Sequence, residues 1–100
     1  MKVNITSRHF EIRQDLENFI NDNSELLNKH FANSIEKIDV ILDYHRNEKL
    51  SKISEFIVHA YKCEFVSKES SDDFEKSVTE CLDKIKIQIT KHKEKIQLHH

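Results

Sequence analysis

Val3 and Ile5 alternate with polar neighbours over residues 2–7, which predicts a first strand with one buried face. The period then changes. Ile12, Leu16, Phe19, Ile20, Leu27 and Phe31 recur at spacings of three, four and seven, a single apolar stripe on a helix over residues 11–31. Ala32, Asn33 and Ser34 make a short polar exit. Residues 38–44 (Ile-Asp-Val-Ile-Leu-Asp-Tyr) are rich in β-branched side chains and read as a second strand. Residues 46–49 look like a hairpin connection, and 55–60 and 64–67 like two further short strands. The turn between those two strands falls on Tyr61, Lys62 and Cys63, which lack the Asn-Gly chemistry tight hairpins favour. Ser70, Ser71, Asp72 and Asp73 then offer N-cap candidates, with acids where a helix dipole favours them. Phe74, Val78, Cys81, Leu82, Ile85 and Ile89 follow at helical spacing, predicting a second long helix to residue 95. The order β-α-β-β-β-α implies an α+β fold, a four-stranded and mostly antiparallel sheet with two helices packed on one face.

Composition narrows the function. One hundred residues, 37% of them hydrophobic, suffice for one domain with a modest core. No apolar run approaches 18 residues and the amino terminus has no signal-peptide core, so the expectation is a cytoplasmic protein without membrane contact. Cys63 and Cys81 are too few for a disulfide framework and lack CxxC spacing. The chain contains neither Gly nor Pro, so its turns lean on Asn, Asp and Ser, and glycine-rich phosphate loops are excluded. No cofactor is expected.

A net charge of −2 conceals a segregated distribution. From Lys84 onward there are five lysines and one acid, Glu94, whereas residues 11–25 hold five acids and one arginine, Arg13. Such a domain is dipolar, with one end attractive to a polyanion. At 100° per residue Lys84, Gln88, Lys91 and Lys95 fall on one flank of the second helix, and Lys86 and Lys93 on the other. Unopposed lysines of this kind neutralise phosphates. Lysines in last turns also complement the helix macrodipole, which is the plainer explanation.

Other chemistry is weaker. Seven histidines (His9, His30, His45, His59, His92, His99, His100) invite a metal reading, but none forms an HExxH motif, and no metal is expected. His99 and His100 read as a native tail or part of a tag. Cys81 lies on the apolar stripe, where cysteine acts as a small hydrophobe, and Cys63 has no histidine at an activating motif spacing. The carboxylates show no paired arrangement, so no enzyme is expected. His59 and Tyr61 alternate on one strand face, where aromatics stack unpaired bases in some RNA-binding sheets, yet no matching glycine-aromatic motif accompanies them.

Several segments jointly resemble the short ribosome hibernation-promoting factors, of the ribosome-associated inhibitor and sigma-54 modulation family. Val3-Asn4-Ile5-Thr6-Ser7-Arg8-His9-Phe10-Glu11 is similar to that family's opening strand and turn. Leu26-Leu27-Asn28-Lys29-His30-Phe31 is similar to the end of its first helix. Asp73-Phe74, Leu82-Asp83-Lys84-Ile85 and Gln88-Ile89-Thr90-Lys91-His92-Lys93-Glu94-Lys95 follow its last helix. The resemblance spans nearly the whole chain. It implies a fold like that of double-stranded-RNA-binding domains, and a bacterial stress-response protein that binds without catalysis. Such a protein lies along rRNA of the small ribosomal subunit, in the channel used by mRNA and tRNA, and blocks translation in dormant cells. By matching positions it carries RNA contact onto Lys84, Lys91, His92, Lys93 and Lys95, with Lys29 and Arg8 as weaker additions.

The sequence also departs from the family pattern. Asn23 and Leu26 stand where lysines are frequent, Ile87 where many members carry arginine, Glu75 where an aromatic is common, and Tyr61-Lys62-Cys63 replaces an Asn-Gly-type turn. These changes remove positive charge from the expected RNA face, which favours a weaker binder or one helped by a companion hibernation protein. A short-type factor without a carboxy-terminal dimerisation domain is expected to be monomeric when free. Two other functions remain open: a general double-stranded-RNA module, and a protein-interaction domain using the acidic first helix.

Overall fold

The computed structural model describes residues 1–98; His99 and His100, read above as a tail or tag, lie outside the described residues. Alternating inward residues set the sheet. In β1 (Lys2–Arg8) Val3, Ile5 and Ser7 face Ile38, Val40 and Leu42 of β2 (Ile35–Tyr44) through a parallel register. A parallel pair needs a crossover, and α1 (Gln14–His30) supplies it. β3 (Lys52–Ala60) pairs antiparallel with β2, and β4 (Cys63–Ser71) pairs antiparallel with β3, giving the sheet order β1-β2-β3-β4. The closing helix α2 (Phe74–Leu98) lies over β3 and β4, with Val78, Cys81, Ile85 and Ile89 fully buried beneath it. The expected architecture is therefore present: a mixed, mostly antiparallel sheet with both helices on one face.

Both helices run in the same direction. At one end Phe10, just ahead of α1, stacks on Phe74 at the start of α2, with ring centroids 4.7 Å apart. At the other, Lys93 near the end of α2 lies over the ring of Phe31, which follows α1. Small polar residues let α2 approach the sheet closely. Ser54 and Ser77 share a buried hydrogen bond of 2.7 Å, and the Cys81 thiol donates to the Ser54 carbonyl at 3.1 Å. Burial pushes the Cys81 thiol up to about 11, so it packs as a neutral small hydrophobe.

Several boundaries differ from the sequence reading, each for a physical reason. Helix α1 begins at Gln14, not residue 11, because Ile12 packs against the core from extended chain and Arg13 is the N-cap. Strand β4 continues past residue 67 to Ser71, its inward Ser67 and Ser71 being buried although polar. The β3–β4 turn uses only Tyr61 and Lys62, at φ 53° and 61°, while Cys63 already pairs with Ala60. Two successive left-handed residues make the tight hairpin turn that usually demands Asn-Gly. Tyr61 offsets this strain by packing half-buried against the core and facing His92. Tyr61 thus does not share a strand face with His59, which lies on the open side of the sheet beside Asp39. Similar strain occurs at Ala32 and Asn33, at φ 56° and 59°, where buried Asn28 closes the exit of α1 by accepting from the Ile35 amide at 3.0 Å.

Candidate nucleic-acid interface

Parallel helices bring two carboxy-terminal ends together, and the basic residues collect there. Lys29 and His30 occupy the last turn of α1 and Lys95 the last turn of α2, each complementing a dipole's negative end. Lys91 and Lys95 are exposed on one flank of α2, one turn apart, and neither makes an ion pair among the described residues. Like charges at that spacing repel, so a bound anion would relieve both. Lys93 sits on the α1 side, with its Nζ 5.8 Å from the centroid of the Phe31 ring. A lysine held over an aromatic face keeps its charge at the surface while its stem packs.

The remaining expected residues divide differently. Lys84 shares the flank of Lys91 but forms an ion pair with Glu69 of β4, which raises its pKa above the ordinary lysine value. Gln88, one turn on, donates through Nε2 to the Val66 carbonyl at 2.8 Å. Together they clasp the edge strand β4, protecting an edge that would otherwise be open to pairing. His92 is half-buried against the hairpin, its ring 5.4 Å from that of Phe65 and 6.1 Å from that of Tyr61. Its Nε2 lies 3.8 Å from Cys63 Sγ, a contact 29 residues apart that no motif spacing signals. Arg8 stands apart from all of these. It is exposed at the end of β1, paired in register with Asp43 on the open face, and at the amino-terminal end of the helices.

One basic residue missing from the expected set is Lys86. It is exposed beside a small hollow between the helices, of about 90 Å³, where Leu26 and Asn23 of α1 meet Leu82 of α2. The helical wheel set it on the flank of Lys93, but its nearness to α1 follows only from the packing. Leu26 and Ile87 are 62% and 55% exposed, so the positions that lack a lysine or arginine present aliphatic surface beside the lysines. Asn23, half-buried, instead folds back along its own helix and donates to the Phe19 carbonyl at 2.8 Å.

At the opposite end Asp43 gathers two histidines. His9 Nδ1 and His45 Nε2 lie 2.7 and 3.1 Å from its carboxylate oxygens, which holds Asp43 down to about 2, the His9 contact first, and raises His45. This cluster ties the β1–α1 connection to the β2–β3 loop. Among the described residues no helix is long and apolar enough to cross a membrane.

The family model described as sigma 54 modulation protein / S30EA ribosomal protein matches residues 3–97, nearly the whole chain. The chain belongs to this family. Similar curated proteins include the ribosome hibernation promoting factor of Salmonella typhimurium, 27% identical over 99% of this chain and 100% of that protein. That of Pseudomonas putida is 30% identical over 97% of this chain and 91% of its own length. Among solved structures, a ribosomal subunit interface protein from Coxiella burnetii superposes with a TM-score of 0.80 at 23% identity, covering 94% of this chain and 99% of that one. The Thermus thermophilus Protein Y N-terminal domain does so with a TM-score of 0.73 at 15% identity, over 91% and 94%. These two likenesses are of fold.

The departures at Asn23, Leu26 and Ile87 all lie on the helices rather than on the sheet: Asn23 and Leu26 on α1, across the small hollow from Lys86, and Ile87 exposed on α2.

Proposed function

We propose that this protein is a ribosome hibernation factor: it binds rRNA of the small subunit in the channel used by mRNA and tRNA, and so inhibits translation in dormant cells. Family membership over residues 3–97 and full-length relatives bearing that name support the ribosomal reading. The observation that carries it to a surface is the joint carboxy-terminal end of α1 and α2, where Lys91 and Lys95 are exposed and unpaired among the described residues, with Lys29, Lys86 and Lys93 nearby. His92 contributes there through its position against the hairpin, Lys84 contributes less because Glu69 already pairs with it, and Arg8 serves as a separate contact at the far end. Binding is phosphate-dominated and reads shape rather than base sequence. The protein acts in the cytoplasm, without catalysis or cofactor, and is monomeric when free.

Co-sedimentation with vacant ribosomes through a salt series tests this, beside a Lys91→Glu, Lys95→Glu variant. The expected result is salt-sensitive binding to the small subunit that the variant loses. Equal affinity for naked duplex RNA would make it a general RNA module. Absence of binding at low salt would sink the proposal.

A further inference from the structure

The end of the molecule away from the lysines carries a second surface, and its chemistry is the reverse. Where the β1–α1 connection meets the start of α2, Phe10 stacks on Phe74 with an interplanar angle of 21°. Leu16, Phe19 and Tyr44, each half-buried, extend this apolar floor. Two adjoining hollows of about 390 and 400 Å³ open over it and share Asp73 and Glu75 as a common rim. Glu11, Asp15 and Glu80 complete the acidic part of the rim, against Arg13, Lys52 and Lys76.

Those cations are already engaged. Arg13 Nε lies 3.8 Å from Asp15, Lys76 pairs with Asp72 at 3.3 Å, and the Lys52 Nζ sits 5.3 Å from the centroid of the Tyr44 ring. Glu11, Asp73, Glu75 and Glu80 make no ion pair among the described residues. Two helix amino termini meet here with roughly half a positive charge each, which the acids outweigh. Lys52 over Tyr44 shows on this chain's own side chains how the floor receives a cation.

We propose that this groove docks an extended lysine- and arginine-rich segment of a partner protein, one of whose aromatic or long aliphatic side chains seats on Phe10, Leu16 and Tyr44. Charge complementarity selects the class. A nucleic acid is repelled by the rim, and a purely basic segment would leave the apolar floor uncovered. Hollows of this size admit single large side chains of an extended segment rather than a packed helix. Because the groove is at the opposite end from Lys91 and Lys95, both surfaces can be occupied together.

The test is a titration of the isotope-labelled full chain with a synthetic peptide of lysines and arginines carrying one central tryptophan, followed by amide NMR. Shifts are expected to concentrate at residues 10–19, around Tyr44 and at 73–80. An Asp15→Lys, Glu75→Lys variant should bind at least tenfold more weakly, as should wild type when serine replaces the peptide's tryptophan. Lys91→Glu, Lys95→Glu should bind the peptide unchanged. If the charge-reversed variant does not fold, Glu11→Gln, Glu80→Gln carries the same comparison with a threefold loss expected. No shifts at low salt, or equal affinity for the acid-altered variants, would overturn the proposal. So would shifts that arise on concentrating the chain alone and vanish in Lys91→Glu, Lys95→Glu, because the occupant would then be a second copy.

Discussion

Lys84 and Lys91 lie on the same flank of the same helix, two turns apart, yet the fold treats them differently. Over the sheet, Lys84 is paired with Glu69 and Gln88 holds the Val66 carbonyl, so that part of α2 spends its polar flank on the edge of β4. Further along, Lys91 and Lys95 have no carboxylate partner among the described residues, and Ile96 is 44% exposed although it continues the buried stripe of Ile85 and Ile89. The difference comes from what lies opposite: a strand in one case and solvent in the other. A lysine count therefore overstates the cationic surface left free to meet an anion, and the discount is set by neighbouring elements rather than by the helix itself.

The comparison can be broken most sharply through stability. Ile89→Ala empties a fully buried position and is expected to lower the unfolding free energy by about 3 kcal/mol in urea, within the usual range for such truncations. Ile96→Ala, in the exposed last turns, should cost less than about 0.5 kcal/mol. Comparable losses at the two positions would mean that the end of α2 is packed against something and is no free surface.

A smaller effect separates stability from binding at the basic end. Lys62 holds φ 61° without being glycine, which costs roughly 1 kcal/mol. Lys62→Gly should therefore raise unfolding stability, but by less than about 1 kcal/mol, because the relieved strain is partly offset by the extra freedom glycine gives the unfolded chain. Ribosome binding should weaken far less in this variant than in Lys91→Glu. An unchanged or lower melting temperature would show that the packing of Tyr61 on His92 has already relieved the turn.

The smallest expected effect concerns the acidic end and its pH response. His45 is raised above its ordinary 6.5, mainly by its hydrogen bond to Asp43, so its contribution is complete below 6.5 and is lost as pH climbs through the raised value. Asp43 is held down to about 2, so its contribution is present above its ordinary 3.8 and is lost as pH falls from there towards 2. NMR titration should place the His45 midpoint above 6.5 in wild type and return it towards 6.5 in Asp43→Asn. A midpoint indifferent to that substitution would remove the link between the β1–α1 connection and the β2–β3 loop. Binding at the lysine end should not follow this titration.

Much of the fold was legible because it is written in periodicity. The stripe from Val78 to Ile89 and the alternation in β1 and β2 report burial directly, since one face of each element is apolar. Legibility failed where burial is polar or the backbone is unusual. Ser67 and Ser71 are buried without being hydrophobic, which hid the length of β4, and Ile12 belongs to the apolar stripe without being helical. The left-handed pair Tyr61-Lys62 has no sequence signature, because no glycine marks it. For the site, the lysine end was visible in local charge, whereas the Lys84–Glu69 pair and the Cys63–His92 contact join elements far apart in sequence. The acidic groove was visible only as a run of carboxylates; its aromatic floor needed the fold to bring Phe10, Tyr44 and Phe74 together.

The most direct measurement is the salt dependence of small-subunit binding for three proteins: wild type, Lys84→Gln, and Lys91→Gln, Lys95→Gln. Each lost phosphate contact lowers the slope of log affinity against log salt by about 1. The double variant should therefore lose about 2 from the slope, and Lys84→Gln much less than 1. Equal losses per lysine along the flank, or a wild-type slope near zero, would contradict the division of α2 into a clasp and a phosphate-binding end.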